Sequence, residues 1–128
     1  MKRDGILHPG ISHLLASTGH TDYFTICDKG FPVPLEPERI DLALTDDLPR
    51  VLDVLRAIDA EFIIDRIIVA GEAEQYAADH VAELRALREG IVVETVPHLE
   101  LKHLSHAGRA TIRTGDTTPY ANIIVVSG

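Results

Sequence analysis

The sequence predicts a layered α/β fold with a mostly parallel, mixed sheet. Helix-spaced and strand-like apolar segments alternate along nearly the whole chain. The densest apolar runs, Ile67 to Ala70 and Ile123 to Val126, have the length and β-branched content of buried strands. Two strand-like segments also follow each other at the end with no helix between them, which suggests at least one antiparallel pair.

Ile11, Leu14 and Leu15 fall at helical spacing and Gly19 stands as a cap, giving a helix near residues 10 to 18. Tyr23 to Cys27 is a β-rich run closed by the turn signal Asp28-Lys29-Gly30. Phe31 to Pro34 is extended loop, since each proline disfavours helix in its predecessor. Ile40 to Leu44 reads as a second strand. Val51, Leu52, Leu55 and Ile58 mark one helical face, with Pro49 close to its start. Phe62 to Ala70 is a central strand region ending at Gly71. Ala77, Val81 and Leu84 put residues 72 to 89 on a helix closed by Gly90. Ile91 to Val96 is strand-like, and Pro97 opens a short helix to about residue 105. Ala110 to Thr114 and Ala121 to Val126 are the last strands.

The 128 residues, 14.0 kDa in mass, suit one domain spanning residues 1–128. The formal charge of −8 argues against a nucleic-acid or anionic-membrane partner, which would be repelled at long range. No apolar run approaches the length of a membrane span or backs the basic start as a signal peptide would. The one Cys can form no intramolecular disulfide, which fits a reducing compartment and a cytoplasmic location. Seven His is the unusual count, and imidazole is the side chain that trades protons near neutrality.

Ligands of such sheets collect at strand ends. His20, in Gly19-His20-Thr21-Asp22 just past a helix, is a candidate proton donor because the helix's negative pole favours imidazolium; it would otherwise be a solvent-facing cap. Asp28 at a strand end can accept sugar hydroxyls, orient an imidazole, or merely close an Asx turn. On the helix after Pro97, His98 and Lys102 share one face, so the ammonium disfavours protonation of His98. His98, His103 and His106 are a conceivable metal set, but their spacing matches no familiar zinc pattern. Tyr120 and Asn122 alternate around Ala121, so in a strand they would point the same way and hold hydroxyls. Phosphate-binding glycine loops and a Gly-x-Ser-x-Gly elbow are absent, and Cys27 falls within a strand. What remains is imidazole acid–base work with hydroxyl anchors. The remaining histidines, His8, His13, His80, His103 and His106, read as surface or packing residues.

Gly19-His20-Thr21-Asp22, the Asp-x-Gly-x-Pro-x-Pro run from Asp28 to Pro34, Arg39 to Leu44, and Ile112 to Ile124 with Thr118-Pro119-Tyr120-Ala121-Asn122 together resemble the D-ribose pyranase branch of the RbsD/FucU sugar mutarotase family. The order and spacing agree along nearly the whole chain. The fucose branch is similar but lacks the Pro-x-Pro after the aspartate. The resemblance implies a three-layer α/β/α sandwich and an isomerase that interconverts the β-pyranose and β-furanose rings of D-ribose without cofactor or metal. It implies His20 as proton donor and Asp28, His98, Tyr120, Ala121 and Asn122 as sugar-contacting residues, with Lys102 beside them. It further implies a homo-oligomer, a pentameric ring or decamer, whose sites lie between neighbouring subunits. Lys29 departs from the small residue usual in this branch, and the segment from Glu72 to Glu89 matches loosely. A sugar-binding module without turnover would use the same Asp, Tyr and Asn anchors.

Overall fold

In the computed structural model, which describes all 128 residues, six strands and five helices alternate. They are α1 (Pro9–Ser17), β1 (Tyr23–Cys27), β2 (Glu38–Asp41), α2 (Val51–Asp59), β3 (Ile64–Ala70), α3 (Gly71–Tyr76), α4 (Ala78–Arg85), β4 (Val93–Val96), α5 (His98–Ser105), β5 (Ala110–Arg113) and β6 (Ile123–Ser127). The strands form one sheet in the order β2-β5-β1-β6-β3-β4. β2, β5 and β1 run parallel, as do β3 and β4, while β6 lies antiparallel to both β1 and β3. Five strands therefore share one direction and β6 alone is reversed. Their five carboxyl ends and the start of β6 meet along one edge of the sheet.

The period-2 alternation of side chains divides the core in two. On one face Phe24, Ile26, Ile112, Ile123 and Val125 pack against Ile11 and Leu14 of α1, Val51, Leu55 and Ile58 of α2, and Leu84 of α4. Each of the fully buried side chains among these contributes roughly 1.5–3 kcal/mol relative to exposure. On the other face Cys27, Ile68, Ala70, Ile124 and Val126 receive Leu101 of α5 and Phe31 of the β1–β2 loop. The three-layer α/β/α arrangement follows, with α5 and that loop forming the thinner outer layer.

Four local expectations are corrected. The last two strands do not pair with each other, because β1 lies between them; the antiparallel pairs are β1–β6 and β3–β6. Gly19 does not cap α1: the chain turns extended at Thr18, whose hydroxyl closes the helix on Leu14 O at 2.6 Å. The segment read as one helix over 72 to 89 is two, broken at Ala77 (φ −143°, ψ 47°), and ends at Arg85. β2 pairs two residues earlier than the apolar run suggested, since the chain turns at Thr45–Leu48 to pack on Gly115. Gly115 is required there: a Cβ would meet the Thr45 carbonyl well inside van der Waals contact.

Candidate active site

At the edge where the five strands end, a cleft of about 310 Å³ opens between the β1–β2 loop, the first turns of α5 and the segment leading into β6. Asp28, His98, Lys102, Tyr120 and Asn122 line it together with Gly30, Phe31, Pro32 and Pro119. That volume is at the small end of the range for small-molecule sites. Five of the seven residues singled out from sequence thus converge on one place.

Asp28 leaves β1 and does two things. Its Oδ1 accepts the Gly30 N–H at 3.0 Å, closing an Asx turn, and its own N–H donates to Asn122 Oδ1 at 2.8 Å. Burial raises the Asp28 carboxyl above its ordinary value, against the lowering pull of the Gly30 and Phe31 N–H groups and the Asn122 amide. The adjacent Lys29 turns aside and pairs with Asp46 at 2.7 Å, so the departure from the small residue of this branch adds no lining charge to the cleft.

His98 opens α5, directly after β4 and Pro97. Proline offers no capping side chain, and the His98 N–H is taken instead by both oxygens of Glu72 at 3.1 and 3.2 Å. The imidazole stands edge-on to Phe31 (6.3 Å) and to Tyr120 (5.1 Å, 88°), and its Nδ1 is buried without a partner. Burial, then the Lys102 ammonium, lowers its affinity for protons, while Glu72 and Asp28 work the other way. The Lys102 ammonium expected from the sequence acts in the expected direction but is the smaller of the two causes.

Tyr120 and Asn122 reach the same cleft, though not by strand alternation. β6 starts only at Ile123, and Tyr120 lies in the left-handed region at φ 56°. The turn that places it is held by Ala121 N–H on Thr118 O (3.3 Å), by Thr118 N–H on Asp116 Oδ1 (2.8 Å) and by the ring of Tyr76, 5.7 Å from that of Tyr120. Asp116 is itself buried, and its other oxygen accepts the Val51 N–H at the start of α2 at 2.9 Å. Ala121 is fully buried and spaces the two polar residues.

His20 does not join them within one chain. It is exposed and precedes β1, whereas Asp28 follows it, and the strand between spans roughly 13 Å at ~3.3 Å per residue. Asp28 therefore cannot orient His20 of its own chain. His103 is exposed, His106 pairs with Glu36 at 3.1 Å, and no three His, Cys, Asp or Glu side chains cluster in a way that could hold a metal ion. Burial pushes the Cys27 thiol up to about 12, which removes it as a nucleophile at neutral pH. Glu72, Tyr76 and Asp116 are functional neighbours that the sequence reading missed. Pro97 before a helix was the available signal for Glu72, since such a helix start needs an acceptor from elsewhere.

The fold and this cleft define an α/β protein with a compact polar site for a small hydroxylated ligand at the strand carboxyl ends. The chain belongs to the RbsD/FucU transport protein family, whose profile matches residues 1–128. It is 46% identical to the D-ribose pyranase of Variovorax paradoxus over 131 residues, covering 100% of this chain and 98% of that protein. It superposes on the structure of Bacillus subtilis RbsD complexed with D-ribose with a TM-score of 0.95 at 37% identity, covering 100% of this chain and 98% of that one. The fucose mutarotase of Streptococcus pneumoniae, solved with L-fucose, shares the fold at a TM-score of 0.72 and 18% identity, over 95% and 93% of the two chains.

Proposed function

We propose that this chain is a D-ribose pyranase, an isomerase that interconverts the β-pyranose and β-furanose forms of D-ribose and supplies the furanose for ribose catabolism. The observation that carries the reading is the convergence of Asp28, His98, Lys102, Tyr120 and Asn122 on one sugar-sized cleft. The 46% identity to a D-ribose pyranase and the match to a ribose-bound relative support the same substrate.

The chemistry is a C–O ring bond broken and another formed, each assisted by proton transfer. The anomeric hydroxyl gives a proton to a base while the bond from C1 to the ring oxygen breaks and that oxygen gains a proton. The open-chain aldehyde rotates, a different hydroxyl adds to C1 and loses its proton, and the carbonyl oxygen is reprotonated. No proton or electron is consumed overall, and no cofactor or metal is called upon. His98, kept neutral by burial and Lys102, is the proton acceptor on the cleft wall. Asp28 accepts hydroxyl hydrogen bonds, and Tyr120 and Asn122 anchor the sugar on either side of Ala121, with Lys102 as the second polar wall.

His20 serves as proton donor from a neighbouring copy, so the working protein is a homo-oligomer, a pentameric ring or a decamer. Its exposure at the far end of β1 and the open side of the cleft support this arrangement. The partners are then a monosaccharide and further copies of the chain, not nucleic acid or membrane, in the cytoplasm. No helix is long and apolar enough to cross a membrane.

Saturation-transfer NMR on D-ribose tests the reading. Added protein should raise the pyranose–furanose exchange rate, and an unchanged rate refutes it. His20→Ala should lose most of the acceleration. Co-assembly of His20→Ala with Asp28→Asn should restore part of it, because some sites then draw both intact residues from different copies. Verified mixed assemblies with no recovery would refute the shared site.

A further inference from the structure

We infer that His80 is a positioning residue, which holds the Tyr120–Asn122 segment in its sugar-binding conformation from the side away from the cleft. The inference rests on the ribose reading above and assigns to that site a residue outside the cleft wall.

His80 lies on α4 and is only 8% exposed. Its Nε2 stands 3.1 Å from the carbonyl oxygen of Ala121. A carbonyl can only accept, so Nε2 carries the proton and the ring donates. Ala121 is fully buried, and the first residue of the segment to enter the sheet ladder is Ile123, opposite Ile26 and Val69. Without His80 the Ala121 carbonyl would lose its side-chain partner in a buried place, which the protein can ill afford.

The segment needs that tie. Tyr120 sits at φ 56°, a strained conformation for a non-glycine residue that persists only where its surroundings hold it. Asn122 is fixed from the cleft side by Asp28 N–H, and Thr118 from below by Asp116. His80 alone fixes, by a side-chain hydrogen bond, the peptide between the two sugar-facing residues. Across the break at Ala77, at the end of α3, the Tyr76 ring lies tilted against the Tyr120 ring at 5.7 Å, so the α3–α4 pair touches both the backbone and the ring of this wall. Behind the wall lies a separate polar cavity of about 590 Å³, lined in part by Tyr76, His80, Asp116 and Thr118. Thr118 thus borders open space into which the turn before Tyr120 can shift once the His80 tie is cut.

The test compares His80→Gln, whose amide nitrogen reaches about as far as Nε2, with His80→Asn, which is one methylene too short, and with a core control on the same helix, Val81→Ala. Ribose exchange is measured over a substrate range, alongside thermal melting. Because Tyr120 and Asn122 anchor the sugar in ground and transition state alike, their displacement raises KM more than it lowers kcat. His80→Asn should raise KM about tenfold, the equivalent of losing ~1.4 kcal/mol. His80→Gln should stay within about threefold of wild type, and Val81→Ala should lower the melting temperature with KM unchanged. A folded His80→Asn with wild-type KM overturns the inference. So does an unfolded His80→Asn beside a folded His80→Gln, which would assign His80 to fold maintenance alone. An inactive wild-type protein would overturn the ribose reading itself, and this inference with it.

Discussion

Replacing Asp116 by alanine should cost more than its distance from the sugar cleft suggests. The side chain is 2% exposed and each oxygen has a separate duty: one accepts the Val51 N–H at the start of α2, the other the Thr118 N–H in the turn before Tyr120. Alanine strands both donors. A buried N–H left without a partner costs about 1–3 kcal/mol, and Val51 is fully buried while Thr118 keeps partial access to water. Loss of a negative charge at the start of α2 adds roughly 0.3–1 kcal/mol. The total is about 2–5 kcal/mol, a large share of the ~5–15 kcal/mol by which such a domain is stable. At roughly 4 °C per kcal/mol this lowers the melting temperature by about 8–20 °C. Urea unfolding should show a lower midpoint at an unchanged slope. Asp116→Asn keeps one acceptor and sets an NH2 against the other donor, so it should fall between alanine and wild type. An Asp116→Ala unfolding free energy within about 0.5 kcal/mol of wild type would refute the reasoning.

Lys102→Met removes the positive charge that, after burial, disfavours protonation of His98, so the acid limb of the pH–rate profile should move to higher pH; a limb that stays or moves down contradicts the assignment. The same lowered proton affinity means that the unfolded chain binds more protons just below the ordinary histidine range. His98 therefore stabilises the fold above that range and the contribution is lost as pH falls through it, a dependence His98→Gln should flatten in urea titrations at stepped pH. Leu101→Ala empties the centre of the thinner core under α5 and should cost about 2–5 kcal/mol by urea unfolding. Because α5 carries both His98 and Lys102, ribose exchange should fall under native conditions too.

What was legible in the sequence is what local pattern controls. The β-rich run Tyr23 to Cys27 coincides with β1 to the residue, and the apolar face of α2 follows from Val51, Leu52, Leu55 and Ile58 alone. The last strand's antiparallel character was legible, but its partners were not, because insertion of β1 between β5 and β6 is a long-range choice that leaves no local trace. The break at Ala77 is equally silent: no Gly or Pro marks it, and the helix bends where Tyr76 and His80 both serve the segment before β6. In the site, Asp28, His98 and Asn122 could be found as residue types at strand ends. Glu72 leaves only the indirect signal of Pro97 before α5, which says that an acceptor is needed and not which residue, 26 positions away, supplies it.

The reversal of β6 explains why the cleft combines the groups it does. A strand's carboxyl end delivers the residues that follow it, so β1 and β4 supply Asp28 and His98. With all six strands in one direction, the chain leading into the last would lie at the opposite edge, beside His20. Running β6 against β1 and β3 brings its start to the carboxyl ends instead, and Tyr120 to Asn122 arrive there as a backbone-held turn. A turn of this kind places a phenol and an amide on either side of one buried alanine, within reach of an imidazole and a carboxylate from other elements. It also needs bracing from outside the sheet, and Asp116, Tyr76 and His80 supply that. Tyr76 and His80 do so from the helical pair α3 and α4, which lies outside the cleft lining. Activity in this protein should accordingly depend on that helical pair as well as on the residues that touch the sugar.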